Sequence, residues 1–332
     1  MSWARVLGFT DPLVCQSSVQ NAEVEILPTA KGSFRVEGTL IGMDSVQMQR
    51  FEVRLPQVAT VAAASDRTCI GFLIDGNSSD LQHCGAEVMP NDIILYGSGV
   101  RHQRSSFGFR CGTMSVPADE FLDLCKVIIG REFPNDSRGL IVRPDPALMS
   151  RLLKLHRMIG QLAHETPDLL DVPAVCRALE HRLVHVMVRC LADGGNIETP
   201  RGGLRHDAII SKFEDFLAAN PGRSIYLTEI CAAVGIAERT LRASCEEHLG
   251  MGPIRFLTLR RMHLVHRALR RADPTKSTVT RIVTDHGFWE LGRFSVAYRT
   301  LFGESPSETL RSPNKNFNPV IERTLNNRPL AS

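Results

Sequence analysis

The sequence predicts a two-part chain: a β-rich N-terminal half, sandwich or barrel with helices, and an all-α C-terminal half with two helix-turn-helix units. Three observations predict it. Short runs that alternate or are rich in β-branched and aromatic residues, separated by turn residues, fill residues 1–145. Apolar residues at helical spacing take over from Pro146 onward. A glycine-centred helical pattern then occurs twice between residues 204 and 312, and each copy ends in the same stop.

The 332 residues suffice for two domains with separate cores. At 43% hydrophobic and 23% charged, the composition is globular and not disordered. No apolar run approaches the ~20 residues of a membrane-spanning helix. The N-terminal stretch from Met1 to Gln16 lacks the basic segment, apolar core and cleavage site of an export signal. Nine scattered cysteines without a Cys-x-x-Cys pair read as thiols in a reducing cytoplasm. Charge is unevenly spread: residues 201–312 hold 17 Lys/Arg against 12 Asp/Glu, and residues 1–200 hold 19 against 23. A basic C-terminal half points to nucleic acid as its partner.

Within 1–145, strands are expected at Glu23–Leu27, Ser33–Leu40, Gln47–Leu55, Thr68–Ile74, Asp92–Leu95 and Gly108–Ser115. Turn signals separate them at Lys31-Gly32, Asp75-Gly76-Asn77, Pro90-Asn91-Asp92 and Gly97-Ser98-Gly99. Asp66, Asp75 and Asp80 read as turn residues, and a helix follows Pro117 over Ala118–Ile129. His102, with His83 and Cys84, is the one set to weigh as metal ligands, but the spacing of a metal-binding barrel is missing and no metal is expected. No nucleophile with its base and no glycine-rich phosphate loop is present, so no catalytic residue is assigned and no cofactor is expected. Residues 146–192 carry two helical stripes. The first is Leu148, Leu152, Leu155, Ile159 and Leu162; the second is Val175, Leu179, Leu183, Val186, Val188 and Leu191. They cover the barrel, pair with a second subunit, or both. Residues 193–203 read as a linker, 204–312 as the DNA-binding domain and 313–332 as a tail.

The second unit is the more legible. A helix over Thr278–His286 leads to a turn at Gly287, and a second helix runs from about Glu290 to Phe302. Gly303 and Ser305-Pro306 stop it. Ile282, Val283, Phe288, Leu291, Phe294, Tyr298 and Leu301 form its packing face, and Gly292, Arg293, Val296 and Arg299 the opposite one. Upstream, after a helix at His206–Ala219, Cys231-x-x-x-Gly235 parallels Val283-x-x-x-Gly287, with Leu241 and Cys245 beside Phe294 and Tyr298. Leu249-Gly250-x-Gly252-Pro253 repeats Phe302-Gly303-x-Ser305-Pro306. Ile254–Ala272 between them is a long basic amphipathic helix.

The run Gly287-Phe288, Phe294, Tyr298-Arg299, Phe302-Gly303 and Ser305-Pro306-Ser307-Glu308 resembles the signature of the AraC/XylS family of bacterial transcription factors. Arg261-Met262 stands at the family's Arg-Leu in the connecting helix. The stretch from Met89 to His102 is similar to the turn and strand of cupin barrels found in the family's sensor domains. Tyr226, Ala243, Cys245 and Val296 depart from the family pattern, which bears on base preference.

Two recognition helices on one connecting helix imply successive major-groove contacts about 10 bp apart. In the first, Glu238, Arg239, Thr240, Arg242, Ala243 and Glu246 face outward. Arg239 and Arg242 suit guanine, and Glu238 suits cytosine. In the second, Glu290, Gly292, Arg293, Val296 and Arg299 do so, with Arg293 as guanine reader and Val296 against a thymine methyl. Arg299, Lys276 and Arg281 are assigned to phosphates, or to plain solvated surface. The resemblance implies a cytoplasmic activator with double-stranded DNA and RNA polymerase as partners, an unidentified small-molecule effector and a homodimer, with no membrane association. Two alternatives stand beside it: a metal-dependent cupin enzyme fused to a DNA-binding module, and a dimerising regulator without a ligand.

Overall fold

The computed structural model describes residues 2–74, 81–130, 139–197, 201–220, 225–312 and 320–324. The expected turns at Asp75-Gly76-Asn77 and Asp80 lie outside the described residues, as does most of the tail. The chain opens with β1 (Trp3–Phe9), α1 (Pro12–Ser18), β2 (Ala22–Pro28), β3 (Val36–Gly42), β4 (Gln47–Val53) and β5 (Gln57–Ala63). There follow β6 (Arg67–Leu73), β7 (Leu81–His83), β8 (Ala86–Val88), β9 (Ile93–Leu95), β10 (Val100–Ser105) and β11 (Phe109–Pro117). Then come α2 (Ala118–Ile129), β12 (Leu140–Arg143), α3 (Pro146–Glu165), α4 (Pro173–Asp193) and β13 (Gly195–Ile197). The rest is helical: α5 (Arg201–Ala219), α6 (Leu227–Val234), α7 (Glu238–Leu249), α8 (Pro253–Arg271), α9 (Val279–Asp285), α10 (Leu291–Phe302) and α11 (Pro306–Arg311), closed by β14 (Val320–Thr324).

The strands form two antiparallel sheets. One runs β13-β12-β9-β6-β11-β4-β3-β1-β14 and the other β2-β5-β10-β7-β8. An apolar core with Phe9, Ile26, Val36, Phe51, Leu81 and Ile94 joins strands of both, so the sheets face one another. The larger sheet is covered on its other face as well. Ile41, Met48, Ile70, Phe72 and Met114 pack there against Phe121, Leu152, Ile159, Leu183 and Met187 of α2, α3 and α4. Period-two alternation explains this: in β4, Phe51 and Val53 join the inter-sheet core while Met48 joins the helices. Each fully buried aliphatic or aromatic side chain adds about 1.5–3 kcal/mol.

All six expected strands exist with small shifts at their ends, but β1, β5, β10 and β12 were not anticipated. The Gln-Val-Ala-Thr-Val-Ala-Ala run of β5 is too rich in alanine to read as a strand; pairing with β2 and β10 makes it one. The expected stripe on α3 is rotated. Met149, Leu152, His156, Ile159, Gly160 and Ala163 are the buried residues, and Leu148, Leu155 and Leu162 are only partly buried against the same core. Sequence periodicity favoured the leucines because a histidine and two small residues carry no hydrophobic signal. The stretch 193–203 also differs from the expected loop. Gly195–Ile197 pairs with β12, and α5 begins at Arg201 rather than at His206. Gly194 has a packing reason: a Cβ there would lie 2.4 Å from Val142 and 2.7 Å from the Cys190 carbonyl. In the tail, Val320–Thr324 pairs with the outer edge of β1.

The buried His156 accepts a hydrogen bond at Nδ1 from Arg50 (2.9 Å), and its Nε2 lies 3.4 Å from the Thr113 carbonyl. Burial, then the Arg50 charge, pushes its pKa down to about 3. Burial, then Arg101, does the same to His83. Both rings stay neutral in the folded chain while the unfolded chain takes up protons below about pH 6.5. Their contribution is therefore complete above that pH and is lost as pH falls from 6.5 toward 3, on the order of 2 kcal/mol per histidine by pH 5. A falling Tm between pH 7 and 5, with a smaller fall in His156→Gln because the depressed His83 and His263 remain, is the expected outcome in thermal melts.

Candidate nucleic-acid interface

In the first unit, α6 begins at Tyr226, which caps the helix without a side-chain hydrogen bond. The second unit has the better cap: Thr278 accepts from the Arg281 amide. Gly235 (φ 75°) and Gly287 (φ 77°) turn the chain between the paired helices in left-handed backbone, which a residue with a Cβ adopts only at a cost. The Gly235 amide donates to the Cys231 carbonyl (2.9 Å) and that of Gly287 to Thr284 (2.9 Å).

Each unit has its own core. Ile230, Val234, Leu241, Cys245, Leu249 and Phe256 fill the first, with Phe213 and Leu217 of α5. Val283, Phe294, Tyr298 and Leu310 fill the second, with Met262, Val265 and Leu269. The connecting helix α8 thus supplies side chains to both units. At ~1.5 Å per residue its 19 residues span about 28 Å, close to one ~34 Å turn of duplex DNA. Cys245, where the family pattern has Phe, is fully buried, and burial pushes its thiol up to about 12. Arg261 lies over the Phe288 ring at 5.0 Å, and its Nη1 reaches the Gly287 carbonyl at 3.5 Å. It braces the second turn from α8.

The helix stop at Ser305-Pro306 opens another helix. Ser305 and Glu308 form a reciprocal capping box and start α11, whose Thr309 accepts from the buried Tyr298 hydroxyl (2.9 Å). The pattern Ser-x-x-Glu was in the sequence and signals a helix start as clearly as Ser-Pro signals a stop.

The outward residues of both recognition helices are open to solvent. Glu238, Arg239, Arg242, Ala243 and Glu246 are exposed and Thr240 is half-buried. Arg242 donates twice to Glu238 (3.0 and 2.6 Å). On α10, Gly292, Val296 and Arg299 are exposed, and Arg293 pairs with Glu290 at 2.8 Å while staying 86% exposed. Lys276 pairs with Asp273 (3.7 Å) and Arg281 with Asp285 (3.9 Å). Such exposed pairs three or four residues apart are worth only a few tenths of a kcal/mol. They pre-set the arginines yet give way readily to phosphate or guanine. Trp289, 78% exposed before α10, was missed by sequence reasoning. Its place beside the packing residue Phe288 hid its exposure.

Lys276→Ala is expected to weaken operator and random DNA alike, by about one unit of salt slope, in titrations across ionic strength.

The first unit also rests on the β domain. Leu27 and Val58 belong to its core, Arg101 pairs with Asp207 (3.3 Å), and the buried His102 pairs with Glu214 (3.2 Å). His102 therefore faces α5, and His83 accepts a long bond from Gln103 (3.4 Å). No group of three or more His, Cys, Asp or Glu side chains placed to hold a metal exists among the described residues.

Two units on one shared helix, each presenting an exposed, arginine-bearing helix, define a DNA-binding domain of helix-turn-helix type. The family described as a helix-turn-helix domain matches residues 230–312. The chain is 30% identical over 182 residues to the probable thc operon regulatory protein of Rhodococcus erythropolis, covering 51% of this chain and 54% of that protein. It is 28% identical over 131 residues to the XylDLEGF operon transcriptional activator 2 of Pseudomonas putida, covering 40% and 83%. Among solved structures, it is similar to the AraC-like transcriptional activator CuxR at 13% identity and a TM-score of 0.38, covering 74% and 86%. The matched stretch spans about half the length of the Rhodococcus regulator. The C-terminal domain is of the AraC/XylS type.

Proposed function

We propose that the chain is a sequence-specific transcriptional activator of the cytoplasm, acting by binding rather than by catalysis. The observation that carries this reading is the pair of solvent-facing recognition helices, Arg239 and Arg242 on one and Arg293 on the other, held by α8. In this reading the β-rich domain carries the Gly195–Ile197 strand, the DNA-binding domain starts with α5 at Arg201, and the bound protein contacts RNA polymerase, as the resemblance implies. No helix of the described residues is long and apolar enough to cross a membrane.

The β domain would hold a small-molecule effector in the cavity of about 120 Å³ between its sheets, which Phe51, Phe72 and Tyr96 line with residues of both sheets. The coupling route is short. Cys15 and Val19, with Val24 and Ile26 of β2, line the cavity. The same segments hold α8 from outside: Asp11, which caps α1, pairs with Arg270, Glu25 with Arg260 (3.8 Å), and the Pro28 carbonyl with His263 (3.1 Å). A ligand that favours one position of α1 and β2 would bias α8 by that difference in affinity. Homodimerisation would use the half-buried Leu155 and Leu162 of α3, which flank the exposed Met158.

Sequencing of genomic fragments retained by the purified full-length protein tests the reading. A small set of enriched intergenic fragments is expected; uniform recovery of the genome contradicts it. Static light scattering tests the dimer, which a single-chain mass would exclude.

A further inference from the structure

Every side chain that lines the inter-sheet cavity is uncharged. The lining includes no Asp, Glu, Lys, Arg or His among the described residues. Its thiols add no charge, since burial pushes Cys15 and Cys111 up to about 12 and Cys69 to about 11. The nearest guanidiniums are committed elsewhere. Arg67 donates to the Ser115 hydroxyl and carbonyl (both 3.0 Å) and to the Ser45 carbonyl (2.5 Å). Arg50 engages His156 on the helix-covered side of β4.

Two polar groups in the lining have unused capacity. Gln57 is 7% exposed, and its Oε1 is buried without a hydrogen-bond partner among the described residues. The Tyr96 hydroxyl accepts from Gln103 Nε2 (2.7 Å) and has no acceptor for its own proton among the described residues. Gln57 belongs to the smaller sheet, and Tyr96 follows the strand β9 of the larger one. A buried acceptor without a donor is destabilising, and a ligand N–H or O–H would relieve that.

We propose that the cavity takes an uncharged, mostly apolar molecule bearing one donor for Gln57 and one acceptor for Tyr96, and that it rejects carboxylates. The inference rests on the reading of the cavity as the effector site. A carboxylate would enter a low-dielectric space with no counter-charge, where an unpaired ion is strongly disfavoured. An amide or alcohol of the same shape satisfies both groups and leaves no charge behind.

Calorimetric titration of the full-length protein at neutral pH with ω-phenylalkanamides of graded chain length, beside the matching alcohols and carboxylates, tests it. At the best length the amide is expected to bind at least about tenfold more tightly than its carboxylate. Gln57→Leu and Tyr96→Phe should each lower amide affinity about tenfold, with the DNA affinity of the ligand-free protein unchanged. Equal or tighter binding of the carboxylate overturns the proposal and leaves the effector site standing. So does amide binding indifferent to both substitutions. Failure of every amide, alcohol and carboxylate to bind a protein that still binds DNA removes the effector-site reading as well.

Discussion

Alanine at both Arg239 and Arg293 is expected to remove most of the preference for an operator over random DNA. Each arginine is exposed on its recognition helix, and Arg293 is tied only to the exposed Glu290. A bidentate contact to guanine discriminates by roughly 1–3 kcal/mol. The two arginines lie on separate units, so the losses should add to roughly 2–6 kcal/mol, a factor of about 30 to 25,000. Affinity for random duplex should fall far less, because Lys276, Arg281 and Arg299, the proposed phosphate contacts, remain. Competitive gel-shift titration of single and double variants checks this. Equal losses on operator and random DNA would show that the two arginines position the protein without reading bases.

The largest expected loss of stability follows Tyr298→Ala. Tyr298 is completely buried in the second core, flanked by Phe294 and Phe302 with ring centroids at 5.5 and 4.6 Å. Its hydroxyl holds Thr309 of α11. Truncating a buried ring of this size costs about 3–5 kcal/mol. Tyr298→Phe retains the ring and should cost about 1 kcal/mol, because Thr309 still donates to Glu304 (2.7 Å). In chemical denaturation the alanine variant should lose the second unit at a lower midpoint than the rest of the chain. A single unshifted transition would show that Tyr298 does not hold α10 to α11.

Much of the C-terminal domain was readable because its signals are local. Thr278, Gly287, Gly303 and Pro306 each fix a helix end through their own backbone chemistry, and Phe294 and Tyr298 lie one helical turn apart. The β domain was less readable because its pairings are not local. The strand Gln57–Ala63 has no pattern of its own and exists through β2 and β10, and β1 borrows partners from β3 and, far along the chain, β14. Arg261 was assigned to the connecting helix, but its grip on Phe288 needs the two helices in place. The same holds for His102: a histidine near a strand end suggests a ligand, and only the packing of α5 shows that it meets Glu214. The cavity left no trace in the sequence, since its lining comes from most strands of both sheets.

Footprinting of the full-length protein on a fragment selected from random-sequence duplex is the most direct measurement. The account predicts two protected major-groove tracts on one face, about 10 bp apart, with guanines under Arg239 and Arg293 whose substitution is felt only when the matching arginine is present. Protection of no tract above random competitor at moderate salt would contradict it.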